Sequence, residues 1–130
     1  MASNGSRGTD FERQCRAALE VAGFTVIRSA ASKTGVDLVA LGKPDCPRAR
    51  GVPVWNRNCG EVWLVQCKRD GRLDPGEWNT LVDLAWDCNS EPVLACREKV
   101  DGRFQAVFYV LTEQRTPRSR TWPKRRVEVA

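Results

Sequence analysis

Phe11, Cys15, Ala18, Leu19 and Ala22 recur at helical spacing and Gly23 follows them, which predicts a helix over residues 10–22. Phe24 to Arg28 is a short β-prone segment. After the small polar loop Ser29–Thr34, the run Gly35-Val36-Asp37-Leu38-Val39-Ala40-Leu41 reads as a second strand. Residues 42–60 mix Gly, Pro, Cys and Arg without a period, so they predict a loop inserted at the surface between paired strands. Glu61 to Lys68 is the third strand, closed by a turn at Asp70-Gly71. Asp74-Pro75 has the form of an N-cap followed by proline at the first helical position. Trp78, Leu81, Val82 and Ala85 then share one face of a second helix ending near Asn89. Pro92–Arg97 and Phe104–Leu111 are two further strands around the turn Val100-Asp101-Gly102. The predicted order is α-β-β-β-α-β-β, forming one domain over residues 1–112, with a basic tail over 113–130.

Composition narrows the class. A chain of 130 residues is long enough to bury a core without disulfides or a structural metal. With 42% hydrophobic and 28% charged residues it reads as globular. No apolar run approaches the roughly 20 residues that cross a bilayer, so no membrane partner is expected. Met1 to Thr9 lacks the apolar stretch of a secretory signal, and a cytoplasmic setting is expected. The net charge of +5 is concentrated after residue 112, where Arg115, Arg118, Arg120, Lys124, Arg125 and Arg126 face only Glu113 and Glu128. Such a tail either neutralises phosphates or is simply a solvated extension, and Trp122 inside it offers a stacking surface.

Six cysteines raise the question of zinc or disulfides, but there is no C-x-x-C pair and no histidine. Cys15, Cys67, Cys88 and Cys96 fall on predicted helix or strand, where a reduced cysteine is an ordinary small core residue. Cys46 and Cys59 share the 42–60 loop, and a bridge or metal role stays open for them. Trp55, Trp63, Trp78 and Trp86 are expected in the core or an interface rather than against bases.

Asp37 is the chemical outlier. An ionised carboxylate inside an apolar strand must be compensated by a cation or a metal. On the following strand Gln66 and Lys68 are two residues apart and point to one face, roughly 7 Å apart along the chain. Three polar groups could converge there. The alternative is a buried Asp37–Lys68 salt bridge in a non-catalytic sheet.

Gly8-Thr9-Asp10-Phe11-Glu12, Gly23-Phe24, Arg28, Ser32, Asp37-Leu38-Val39-Ala40 and Val65-Gln66-Cys67-Lys68, taken in order, resemble the PD-(D/E)XK nuclease superfamily. Within it the pattern is similar to the archaeal-type (Hjc) Holliday junction resolvases, over about residues 7–97. The resemblance implies a restriction-endonuclease-like α/β fold, an α-β-β-β-α-β core whose mixed central sheet is flanked by helices. It also implies a Mg²⁺ or Mn²⁺ site in which Asp37 and Glu12 are acidic ligands, and Lys68 is the catalytic lysine. Ser32 would stand near the scissile phosphate, Gln66 would offer its amide oxygen, and the main-chain carbonyl of Cys67 would add a hard ligand. Arg28, Ser32, Lys33 and Arg69 are then expected on DNA beside the site, with Arg118, Arg120, Lys124, Arg125 and Arg126 contributing from the tail. One departure matters: resolvases carry Glu where this chain has Gln66, as Mrr-like members of the superfamily do.

Each residue also has a plainer role. Thr9-x-x-Glu12 and Asp74-x-x-Glu77 both fit a capping box, in which the glutamate bonds back to the cap amide. Ser32 could simply turn a loop, and Arg28 could be an exposed strand end. The absence of histidine excludes nucleases that use an imidazole base. The expected function is a metal-dependent endodeoxyribonuclease acting on four-way junctions, as a homodimer by resemblance. The alternatives are a Mrr-like or repair nuclease cutting duplex DNA, and a catalytically weak DNA-binding module.

Overall fold

The computed structural model describes residues 4–29, 36–42, 62–120 and 122–129, with side chains from residue 10 onward. Ser32, Lys33, Trp55, Cys46, Cys59 and nearly all of the 42–60 loop lie outside the described residues. Two helices and six strands follow in the order α1 (Asn4–Val21), β1 (Thr25–Arg28), β2 (Leu38–Leu41), β3 (Val62–Cys67), α2 (Pro75–Asp87), β4 (Glu91–Val100), β5 (Arg103–Leu111) and β6 (Lys124–Val127). The strands form one sheet in sequence order. All neighbours are antiparallel except β3 and β4, which run parallel with Cys67 opposite Ala95. A parallel pair needs a long crossover, and α2 supplies it. This is the expected mixed sheet flanked by helices.

The period-2 pattern of β3 sorts the core into two layers. Trp63 and Val65 join Phe11, Cys15 and Leu19 of α1 on one face, with Leu38, Val93, Ala95 and Phe108. Leu64 turns the other way, against Trp78, Leu81, Val82 and Ala85 of α2, with Leu94 and Leu111. Local chemistry sets the boundaries. Asp74 caps α2, its Oδ1 accepting from the Glu77 amide at 2.7 Å, and Pro75 opens the first turn. Asp101 and Gly102, with φ of 51° and 81°, close a two-residue hairpin between β4 and β5, the left-handed backbone that such a turn requires.

Several expectations need correction. Helix α1 begins at Asn4 rather than residue 10, because a polar helical turn carries no apolar period to reveal it. Thr9 is therefore inside the helix and cannot cap it. Asp37 precedes β2 instead of lying within it. Cys15, Cys67, Cys88 and Cys96 are free thiols as expected, but Cys88 is the exposed C-cap of α2 and not a core residue. Trp63 and Trp78 are buried while Trp86 is 52% exposed.

The largest correction concerns residues 113–130, which were expected to form a separate tail. Residues 113–120 and 122–129 belong to the fold: β6 pairs with β5 from Phe108↔Val127 to Leu111↔Lys124. The connection is fastened to α2. Trp78 Nε1 donates to Glu113 O at 2.8 Å, Asn79 Nδ2 donates to Arg115 O at 2.6 Å, and Arg115 N donates to Asn79 Oδ1 at 2.7 Å. The buried Arg115 guanidinium lies 3.3 Å from the Trp122 ring centroid and 5.6 Å from that of Trp78, and its Nη2 donates to Ser119 O. Trp122 thus stacks on Arg115. Among the described residues no helix is long and apolar enough to cross a membrane.

Because Arg115 is buried between aromatic rings and a carbonyl, Arg115→Ala is expected to lower stability by about 2–3 kcal/mol in urea unfolding. The exposed Arg118→Ala should change it by less than about 0.5 kcal/mol.

Candidate active site

The site forms where β3 ends. Asp37 sits just outside β2, with its backbone completing the ladder on both sides. Its amide donates to Val65 O at 2.9 Å and its carbonyl accepts from the Ser29 amide at 2.9 Å. The side chain is only 8% exposed, and its Oδ2 accepts from the Cys67 amide at 2.8 Å. The charge that the sequence required to be compensated is met here by a main-chain donor. In extended backbone the N–H and C=O of one residue face the same neighbour, so the Cys67 carbonyl also lies on the side of Asp37, beyond the last β2–β3 pair at Leu38↔Val65.

Glu12 comes to Asp37 from α1. Its carboxyl pKa is raised by burial first and then by the negative charge of Asp37, while Arg28 opposes the rise. The Arg28 Nε donates to Glu12 Oε2 at 3.2 Å. Glu12 is therefore no capping-box residue; it is half of a close carboxyl pair. Below that pair, the Cys67 thiol hydrogen-bonds with Cys15, and this contact, with burial, pushes its pKa up.

Gln66 and Lys68 point to the opposite face, as the i, i+2 rule required. Both meet one oxygen there. Glu77 Oε2 accepts from Gln66 Nε2 at 3.3 Å and pairs with Lys68 Nζ at 3.2 Å. The reciprocal arm of the expected capping box at Asp74 is thus given up: the Glu77 amide is capped while its carboxylate reaches the sheet. Gln66 is 8% exposed, and its Oε1 is buried with no hydrogen-bond partner among the described residues. Leaving such an acceptor unsatisfied costs on the order of 1–3 kcal/mol, and it is the kind of atom a cation would complete.

The expected residues thus assemble as two groups around Cys67, with Glu12 and Asp37 from the α1 side and Gln66, Lys68 and Glu77 from the α2 side. Among the described residues no cluster of three or more His, Cys, Asp or Glu forms. The donor set still fits a hard divalent cation, since two adjacent carboxyls and an orphaned amide oxygen are all oxygen ligands. Glu77 is the member that sequence reading assigned mainly to a cap. The available signal was its place one turn into a helix that follows the Gln66–Lys68 strand directly.

The expected DNA contacts are dispersed. Arg69 is exposed and lines a shallow pocket with Arg97, Asp10, Phe11 and Gln14. Arg118 and Arg120 are exposed on the segment fastened to α2. Lys124, Arg125 and Arg126 are exposed on β6 and alternate: Arg125 pairs with Val110, whereas Lys124 and Arg126 pair with Leu111 and Tyr109. The basic run is divided between the two faces instead of forming one stripe.

Comparison with known proteins agrees with this architecture. The family model described as archaeal Holliday junction resolvase (Hjc) matches residues 3–46, which include Glu12, Arg28 and Asp37. The crossover junction endodeoxyribonuclease Hjc of Methanocaldococcus jannaschii is 39% identical over 95 residues, 70% of this chain and 59% of that protein. The chain therefore spans about three fifths of the length of that curated relative. The solved structure of Archaeoglobus fulgidus Hjc, a Holliday junction resolvase, superposes with a TM-score of 0.54 at 25% identity, covering 84% of this chain and 80% of that one. Proteins of this family generally need a divalent metal. The α-β-β-β-α-β order, the mixed sheet and these matches agree, and the chain is similar in sequence and fold to the archaeal Holliday junction resolvases (Hjc) of the PD-(D/E)XK nuclease superfamily.

Proposed function

We propose that this protein is a Mg²⁺- or Mn²⁺-dependent endodeoxyribonuclease that resolves four-way DNA junctions by phosphodiester hydrolysis. The observation that carries the reading is the pair of carboxyls, Glu12 and Asp37, held together at the end of the strand that bears Lys68. Two carboxylates repel, and burial makes the repulsion costly, so the arrangement is disfavoured until a cation joins it. Glu12, Asp37, the Gln66 amide oxygen and the Cys67 carbonyl are the groups that would hold that cation. When bound it would polarise the scissile phosphate and stabilise charge in the phosphoryl-transfer transition state. Lys68 donates to the attacking water or to a phosphate oxygen. Ser32 is assigned to the scissile phosphate, and Lys33, Arg28 and Arg69 to the flanking backbone.

The basic residues of β6 lie three strands from β3, about 14 Å at the usual interstrand spacing, so they would grip a phosphate remote from the cut. A homodimer would match two sites to the two opposed strands of a junction. The setting proposed is cytoplasmic. Gln66 favours a second reading, a Mrr-like nuclease that cuts duplex DNA, and substrate competition separates the two.

Asp37→Asn and Lys68→Ala are each expected to lower cleavage of a synthetic four-way junction in Mg²⁺ or Mn²⁺ by at least about 10³-fold, with junction affinity nearly kept. Faster cleavage of linear duplex by the wild type would select the second reading, and junction binding without cleavage in either metal would leave only a binding module.

Glu12 gives a test with opposite signs. Since its folded pKa lies above the ordinary value, metal-free folding is favoured at low pH and loses that contribution as pH rises through the raised pKa. Glu12→Gln should therefore raise the metal-free Tm at neutral pH, yet abolish most of the thermal shift that Mn²⁺ produces.

Replacing Lys124, Arg125 and Arg126 together by Ala is expected to reduce the slope of log affinity against log salt by about 1–2. An unchanged slope would remove β6 from the DNA interface.

A further inference from the structure

Gln66 leaves the strand motif short of one negative charge. In an E-x-K arrangement the carboxylate and the ammonium cancel, whereas Gln66 with Lys68 carries a net positive charge where a cation is to bind. Glu77 restores the balance from the neighbouring helix, and it does so with one oxygen placed 3.3 Å from Gln66 Nε2 and 3.2 Å from Lys68 Nζ.

The contact also decides which way the Gln66 amide faces. A glutamine side chain can present either its NH₂ or its oxygen in a given direction, and its neighbours choose. An ionised carboxylate only accepts, so it draws Nε2 toward itself and leaves Oε1 on the other side. Oε1 is the buried atom that lacks a partner among the described residues. The Lys68–Glu77 pair is 34% and 41% exposed, and ion pairs that open to solvent add little stability. Its consequence is therefore orientation, not stability. Helix α2 does not need the carboxylate either, because Asp74 already caps the Glu77 amide.

We propose that Glu77 is a positioning residue of the nuclease site, fixing Gln66 as an oxygen donor and Lys68 beside it, and so carrying from α2 the charge that Gln66 lacks. The assignment rests on the metal-dependent nuclease reading given above.

The test follows Mn²⁺ affinity by calorimetry, the Gln66 side-chain ¹H–¹⁵N resonances of metal-free protein, and junction cleavage. Glu77→Gln, which has the same shape and can donate as well as accept, is expected to weaken Mn²⁺ binding about 10–100-fold and to shift the Gln66 resonances. Its Tm should stay near that of the wild type. The double variant Gln66→Glu/Glu77→Gln returns the carboxylate to the strand and should recover Mn²⁺ affinity to within about threefold of wild type. Glu77→Asp keeps the charge but shortens the reach, and it is expected to weaken binding likewise if Glu77→Gln does not fold. Wild-type Mn²⁺ affinity in the single variants, a double variant as weak as Glu77→Gln, or a loss of Tm alone overturns the role given to Glu77. A wild-type chain that neither binds Mn²⁺ nor cuts a junction overturns the nuclease reading and this assignment together. A wild type that does both, beside a Glu77→Gln that does so equally well, overturns the assignment alone.

Discussion

A nearly buried carboxylate at the end of a short strand is the constraint around which this protein is organised. Asp37 has to be satisfied, and the fold answers with its own backbone: the Cys67 amide to Oδ2, Val65 O to the Asp37 amide, and the Ser29 amide to the Asp37 carbonyl. These three bonds tie the ends of β1, β2 and β3 together. They also leave the carboxylate beside Glu12, whose raised proton affinity records how unfavourable two adjacent acids are in a partly dry place. In the proposed nuclease a bound cation would relieve that strain, which would set stability and metal binding against each other at the same two residues.

The parallel β3–β4 pair has the second organising effect. Its crossover obliges a helix to cover one face of the sheet, and the first turn of that helix stands against the strand it has just left. Trp78, Leu81, Val82 and Ala85 supply the apolar contact that seats α2. Once seated, the helix delivers Glu77 to Gln66 and Lys68. Glu12 and Glu77 thus come from two helices on opposite faces and Asp37 from just before β2, while the end of β3 between them contributes an amide, an ammonium and a backbone donor.

The C-terminal segment shows that strong charge does not by itself imply a loose tail. Arg115 is buried against Trp78 and Trp122, and Lys124 to Val127 complete the sheet. A basic strand at a sheet edge is held rigidly, and its lysine and arginines also discourage pairing with another edge. These residues serve the integrity of the domain.

Sequence periodicity alone determined the number and order of the elements up to β5, the sheet-facing residues of α2, the Asp74–Pro75 cap and the Asp101-Gly102 hairpin, because each depends on spacing or on local turn chemistry. The resemblance carried by Glu12, Asp37 and Lys68 pointed to the same resolvases that the comparisons match, since short motifs in fixed order survive in a linear chain. Only the tertiary structure decided what lies next to what. Thr9 and Glu12 have the spacing of a capping box, but α1 starts a turn and a half earlier and Glu12 goes to Asp37. Glu77 has the same spacing, and its carboxylate goes to Gln66 and Lys68. The Arg-rich end looked solvated because no local rule reveals that Trp78 and Trp122 will meet around Arg115. Local propensity is written in neighbours along the chain. Charge compensation, by contrast, is set by groups that only the folded sheet brings within 3–4 Å, the range of hydrogen bonds and ion pairs.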